Sequence, residues 1–387
     1  MSKRPLLIVC DTLVNLGDLA LLAQSVAAGR NQGRQVYVRQ WAPPPPVIAR
    51  QVEALGASII SGRNLLGLPR LASRCDAVIG GGQIVRSNVS LPSLIAMIWA
   101  LALVRLGGGR VSGWGMGVGP VRGWLARFLW RLVFRPGERI AVRDALSLDH
   151  ARRLFPARAV VQSADMAFLP GTLHRDLAAQ DFGGQESERT TILIAPCIEA
   201  SEGRSIDGEG FPTLLACVRQ EMPKAPLVLA CHDPRPEVDG GAADWLIAYY
   251  DLNDAHKLDD GQLATLCEAY RHAVLTITNR LHASIFTLLS GGALLVVDDG
   301  SDKMRALCRD FGIPSVRISG PPDASVIAKT VTAALNFDRK ARKKAMLRIA
   351  RRAQSNLLAL GDHTVTQPLD RPGLISAQGR STARQAP

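Results

Sequence analysis

Short apolar runs alternate along the chain with longer amphipathic stretches. Runs of a few β-branched or aliphatic residues at 5–10, 35–39, 58–60, 76–80, 138–143 and 159–161 read as buried strands, and 110–120 reads as a strand running into a glycine-rich loop. Each is followed by a loop and, in most cases, by a stretch of helical period. Residues 171–189 are polar and break the pattern. A second series then begins, with strands at 191–196, 226–231, 274–277 and 293–297 and helices near 211–221, 241–250, 261–272, 283–289 and 303–311. Strand–helix alternation of this kind predicts α/β architecture: two tandem doubly wound, Rossmann-like domains with a crevice between them. The expected division is an N-terminal domain over 1–170, a linker over 171–189, and a C-terminal domain over 190–337. A basic helix over 338–360 follows, then a tail over 361–387 too poor in apolar residues to pack.

In parallel sheets ligands bind at the carboxyl ends of the strands, so the loops there carry the candidate chemistry. The loop after the first strand holds Asn15, Gly17 and Asp18 at a helix start, where backbone N–H groups can hold an anion and Asp18 can act as N-cap. Gly80-Gly81-Gly82 lets a ligand approach the main chain, but without a following Gly-Lys-Ser/Thr it is no Walker loop. A second glycine-rich loop, including Gly117, fails the dinucleotide spacing because Val118 or Pro120 stands where the third glycine belongs. Arg143 with Ser147, Asp165, His232-Asp233 and Lys303 close further strands. Arg280-Leu281-His282, after the strand at 274–277, sets a fixed cation and an imidazole at a helix start, which suits an anionic substrate that needs a proton. Taken singly, capping is the simpler account of Asp18 and solvation of Lys303, while core packing accounts for His232 as well as a site role does.

Charge divides the chain unevenly. Residues 1–160 carry 21 Lys/Arg against 7 Asp/Glu, and residues 338–387 carry 11 against 3. These basic segments suit an anionic partner: a phosphorylated substrate, lipid headgroups or nucleic acid. Aromatic content of 5% and the absence of a nucleic-acid motif argue against the last. Seven scattered cysteines without a C-x-x-C pair imply reduced thiols and no zinc site. The longest apolar run, 91–104, is too short to span a bilayer and reads as a buried core helix. Residues 124–134, WLARFLWRLVF flanked by arginines, read as a core-packed helix, with attachment to an anionic membrane as the competing reading.

Taken in order, Asn15-Leu-Gly-Asp18, Gly80-Gly-Gly82, Gly117-Val-Gly-Pro120, Val142-Arg-Asp144 with Ser147, Ser163-Ala-Asp165 with Phe168, Arg280-Leu-His282 and Lys303 resemble the polysaccharide pyruvyl transferase family. The resemblance implies a fold like that of GT-B glycosyltransferases. It also implies transfer of pyruvate from phosphoenolpyruvate to two hydroxyls of a sugar as a ketal, without a further cofactor. On that basis Arg280, Leu281 and His282 contact phosphoenolpyruvate and Arg143 is a second cation. His282, near its ordinary pKa, is the acid, and Asp165, Asp233 or Asp18 is the base. Asn15, Gly81, Gly82, Gly117, His232 and Lys303 line the substrates. The expected acceptor is a lipid-pyrophosphate-linked oligosaccharide, and the expected location is the cytoplasm, at or near the inner membrane face. A nucleotide-sugar glycosyltransferase is the competing enzyme class. Its retaining members commonly present two glutamates eight apart here, whereas 283–290 contains no acidic residue. A non-catalytic basic binding protein is the third class.

Overall fold

The computed structural model describes residues 3–10, 12–63, 67–156, 158–177, 189–198, 205–206, 208–321 and 323–360. The first sheet contains β1 (Leu6–Val9), β2 (Val36–Gln40), β3 (Ala57–Ser61), β4 (Asp76–Gly80), β5 (Val111–Met116), β6 (Arg139–Val142) and β7 (Ala159–Gln162). Its order is β3-β2-β1-β4-β5-β6-β7 and every pairing is parallel. The second sheet contains β8 (Thr191–Ala195), β9 (Leu227–Ala230), β10 (His256–Leu258), β11 (Ala273–Thr278), β12 (Ala293–Val297) and β13 (Ser315–Val316). It is parallel in the order β10-β9-β8-β11-β12-β13. Short edge strands β10 and β13 were not separable from loop in the sequence, because two or three residues carry no periodicity.

Helices of the first half are α1 (Leu16–Asn31), α2 (Pro46–Ala54), α3 (Gly67–Ala72), α4 (Leu91–Leu106), α5 (Trp124–Val133), α6 (Ala145–Leu154) and α7 (Thr172–Leu177). The second half holds α8 (Phe211–Glu221), α9 (Asp239–Tyr249), α10 (Leu263–His272), α11 (Leu281–Ser290), α12 (Asp302–Phe311), α13 (Ala324–Leu335) and α14 (Arg339–Gln354). Helix α7 occupies the start of the expected linker, of which residues 178–188, like the tail from 361, lie outside the described residues. No described helix is long and apolar enough to cross a membrane.

Strand order reverses between β1 and β4 in the first sheet and between β8 and β11 in the second. Each reversal parts the two loops beside it and leaves a place for a ligand. The halves are joined by a common core in which Leu16, Leu19 and Ala20 of α1 pack with Tyr270 of α10 and Phe286 of α11. Phe168 stacks on Phe311 with ring centroids 5.7 Å apart, and Leu16 N donates to His232 O at 2.8 Å. Helix α14 crosses back from the second sheet to the first. Arg342 Nη1 near its start donates to Gly292 O at 2.9 Å. Beyond its end, Asn356 accepts from Gly115 N at 2.8 Å and donates to Ala164 O at 3.0 Å.

Two helices depart from expectation. Neither α4 nor α5 is enclosed: Leu91, Ile95 and Trp99 of α4 are exposed, as are Trp124, Leu125, Phe128 and Leu132 of α5. Core packing needs only one face of each helix, here Leu94, Met97, Leu101 and Val104 on α4 and Trp130 and Val133 on α5. Ile98, Leu103, Ala126 and Leu129 pack against the same core in part, and the exposed positions named above project away from it.

Candidate active site

The two reversal points face each other. Asn15 caps α1, its Oδ1 accepting from Gly17 N at 2.7 Å. The cap is therefore Asn15 and not Asp18, which lies in the first turn with its carboxylate against the main chain of Gly82. A methyl on Gly82 would come within 2.6 Å of Asp18 Oδ1, and both Gly81 and Gly82 adopt positive φ, so glycine is needed for this approach. Opposite, Arg280 opens α11 in an extended conformation, its N–H donating to Thr278 Oγ1 at 2.9 Å. Asn279 is held by Cys197 on both its amide atoms at 2.8 Å. These bonds turn the chain sharply from β11 into α11 and bring His282 against α1. The His282 ring lies directly over Gly17, where an added methyl would meet Cγ at 2.5 Å and Cβ at 2.7 Å.

His282 is buried and its Nε2 has no hydrogen-bond partner. Burial, reinforced by Arg143, Arg280 and Lys303, lowers its pKa to about 3. The expectation of an imidazole near its ordinary pKa is thus corrected for the ligand-free protein: three cations face a desolvated ring and keep it neutral. Arg143 reaches this point from β6, and its Nη2 would lie 3.0 Å from a methyl on Gly117. Lys303, at the start of α12, donates to Gln83 Oε1 in the loop after β4. Beside them lies a cavity of about 240 Å³ bounded by Gly117, Asp144, Ser147, His150, Asp302 and Lys303. The Ser147 hydroxyl accepts from Val118 N at 3.1 Å and shapes its wall, while the cap of α6 is Asp144.

Several expected roles change. Asp165 is not open to a substrate hydroxyl: Oδ2 receives Arg143 Nη1 at 3.1 Å and Oδ1 receives Ala167 N at 3.0 Å. Burial raises its pKa against the pull of Arg143. It positions Arg143. His232 does not line the crevice. Its ring is fully buried, with Nε2 2.8 Å from Tyr270 Oη and Phe286 alongside, and burial, with Arg280 and His282, holds its pKa well below normal. What it contributes to the junction is its carbonyl, which receives Leu16 N. Asp233 is engaged by Arg235 through bonds of 2.8 and 2.7 Å. Leu281 is partly buried against the common core. Sequence reading missed Asp239, fully buried, which accepts from Arg280 Nη2 and, at 2.8 Å, from Asp233 N. Nothing in DPRPEVDG marks that aspartate over its neighbours except its place at a helix start. No group of three His, Cys, Asp or Glu is placed to hold a metal among the described residues.

The family model for polysaccharide pyruvyl transferase matches residues 15–300, well over half the chain. The chain belongs to that family. All the loops just described from Asn15 to His282 lie inside the match, and Lys303 lies just beyond it. Solved structures similar in fold include a glycosyltransferase from Rickettsia africae, at TM-score 0.57 and 12% identity over 93% of this chain and 96% of that one. A UDP-GlcNAc 2-epimerase from Neisseria meningitidis, bound to UDP-GlcNAc, aligns at TM-score 0.56 and 12% identity over 92% and 99%. An Anabaena protein in complex with UDP and glucose aligns at 0.55 and 11% over 92% and 95%. At these identities the likeness is one of fold, and the fold is that of GT-B glycosyltransferases and epimerases. No curated protein matches the chain in sequence.

Proposed function

We propose that this pyruvyl transferase takes pyruvate from phosphoenolpyruvate and sets it as a ketal across two hydroxyls of a saccharide. The observation that carries the reading is His282: a buried imidazole with an unpartnered Nε2, faced by Arg143, Arg280 and Lys303. A carboxylate and a phosphate together match such a cation set. Bound among them, the anion offsets the cations and sets negative charge beside a ring that burial keeps neutral, which raises the ring's pKa and favours its protonation with the donor in place.

His282 then protonates the methylene carbon, leaving C2 electrophilic. The first hydroxyl adds to C2, and its proton passes through Asp18 back to the imidazole. The C2–O bond to phosphate breaks, the second hydroxyl closes the ketal, and its proton leaves with phosphate. One phosphoenolpyruvate and two hydroxyls thus give one ketal and one hydrogen phosphate. The sugar lies in the neighbouring cavity, where Asp144 and Asp302 are suited to accept from hydroxyls. The acceptor is a saccharide carried on a lipid pyrophosphate, consistent with the basic first half.

Phosphate release from phosphoenolpyruvate on adding saccharide acceptors, with a product mass increased by one pyruvate ketal, is the expected result. Thermal stabilisation by a UDP-sugar and none by phosphoenolpyruvate would place the protein among the nucleotide-sugar enzymes instead.

A further inference from the structure

Between Asp76 and Glu138 the sequence has seven arginines and no acidic residue. That segment contains α4 and α5, packed side by side on the outer face of the first sheet. Of the fourteen large hydrophobic side chains exposed among the described residues, eight belong to these two helices: Leu91, Ile95, Trp99, Leu106, Trp124, Leu125, Phe128 and Leu132. Trp124 is 80% exposed and Trp99 54%. Scattered exposed apolar residues are ordinary, but this concentration on two adjacent helices is not. Arg127 and Arg131 within α5, and Arg122 and Arg135 on either side of it, are all exposed. An apolar groove of about 440 Å³ between α3 and α4, bounded by Leu68, Pro69, Leu91, Ile95 and Trp99, extends the same surface.

We infer that the α4–α5 face seats the protein on the anionic leaflet of a bilayer. Charge selects this occupant. Tryptophan and phenylalanine settle at the headgroup boundary while interspersed arginines meet lipid phosphates. A second copy of the chain offering this face would set arginines against arginines with no acidic partner in the segment. Helix α4 starts nine residues after Gly82 and α5 four after Pro120, so both begin on the carboxyl-end side of the sheet that carries the site. Basic helix α14 contributes to the other core and is not part of this surface.

The inference concerns binding alone and stands apart from the reaction proposed above, so its test uses no turnover. The full chain is floated with vesicles of phosphatidylcholine, with and without phosphatidylglycerol, at increasing salt. Binding is expected to anionic vesicles only and to weaken with salt. Removing Arg127 and Arg131 should weaken it by roughly fivefold per arginine, from the contribution of a basic residue near an anionic surface. A Trp124→Ser, Phe128→Ser variant should lose vesicle binding while its melting temperature stays at or above that of the wild type, since both side chains are exposed. Equal binding by this variant, equal binding to neutral vesicles, or a wild-type dimer that the variant splits would each overturn the inference.

Discussion

Replacing Gly17 by alanine tests whether His282 is held in place by the helix it faces. On an isolated helix the change is favourable by about 0.8–1 kcal/mol, because alanine loses less backbone entropy. Here the new methyl would lie 2.5 Å from His282 Cγ and 2.7 Å from its Cβ, whereas ordinary contact begins at 3.4 Å. The imidazole must therefore retreat by about 1 Å, and misplacement of a reacting group by that distance can cost about 10²-fold in rate. Turnover measured by phosphate release should fall by about that factor, and thermal melting should fall as well, because His282 Cβ is among the atoms met and overpacking a buried contact costs about 1–3 kcal/mol against the helix gain. In a His282→Gln background the alanine should have almost no further effect on rate. A Gly17→Ala enzyme within about twofold of wild-type turnover would refute the reasoning, since the ring could then not depend on this contact.

Two further outcomes follow from the charges. Raising His282 from about 3 in the free protein towards its ordinary 6.5 amounts to roughly 5 kcal/mol of coupling between donor and proton. Calorimetry between about pH 5 and 6.5 should show proton uptake on binding phosphoenolpyruvate in excess of that of His282→Gln, which reports only the titration of the phosphate itself. In the free protein the depressed pKa has the opposite consequence. Between pH 6.5 and about 3 the unfolded chain takes the proton and the native one does not, so His282 makes stability decrease as pH is lowered through that window. Asp239→Asn leaves Arg280 buried without its counter-charge and should cost about 3–5 kcal/mol in chemical denaturation. A loss under about 1 kcal/mol would show that the guanidinium finds another partner.

The seven strands of the first sheet and the four long strands of the second were legible because each combines an apolar run with a turn signal. Gathering of the strand-end loops followed from the doubly wound topology. What sequence could not show were pairings made at a distance. Asp239 becomes the partner of Arg280 only when α9 and β11 fold together, 41 residues apart. Asp165 looked like a base because nothing local reveals that Arg143 occupies it. His282 looked ordinary because two of the cations that face it, Arg143 and Lys303, come from distant elements, and because sequence does not record how deeply the ring is buried. The α4 and α5 stripes looked like core because composition records how apolar a helix is and not how much of it neighbours can cover.

Asn356 bonds to Gly115 across 241 positions of sequence. During synthesis the first sheet must wait for those intervening residues, roughly 12–50 s at 5–20 residues per second, before Asn356 can satisfy Gly115 N and Ala164 O. The nascent N-terminal half therefore emerges with its α14-facing side uncovered, including Trp114 at β5. Chaperone engagement should be greatest in that interval and should end when the last helix closes over the sheet.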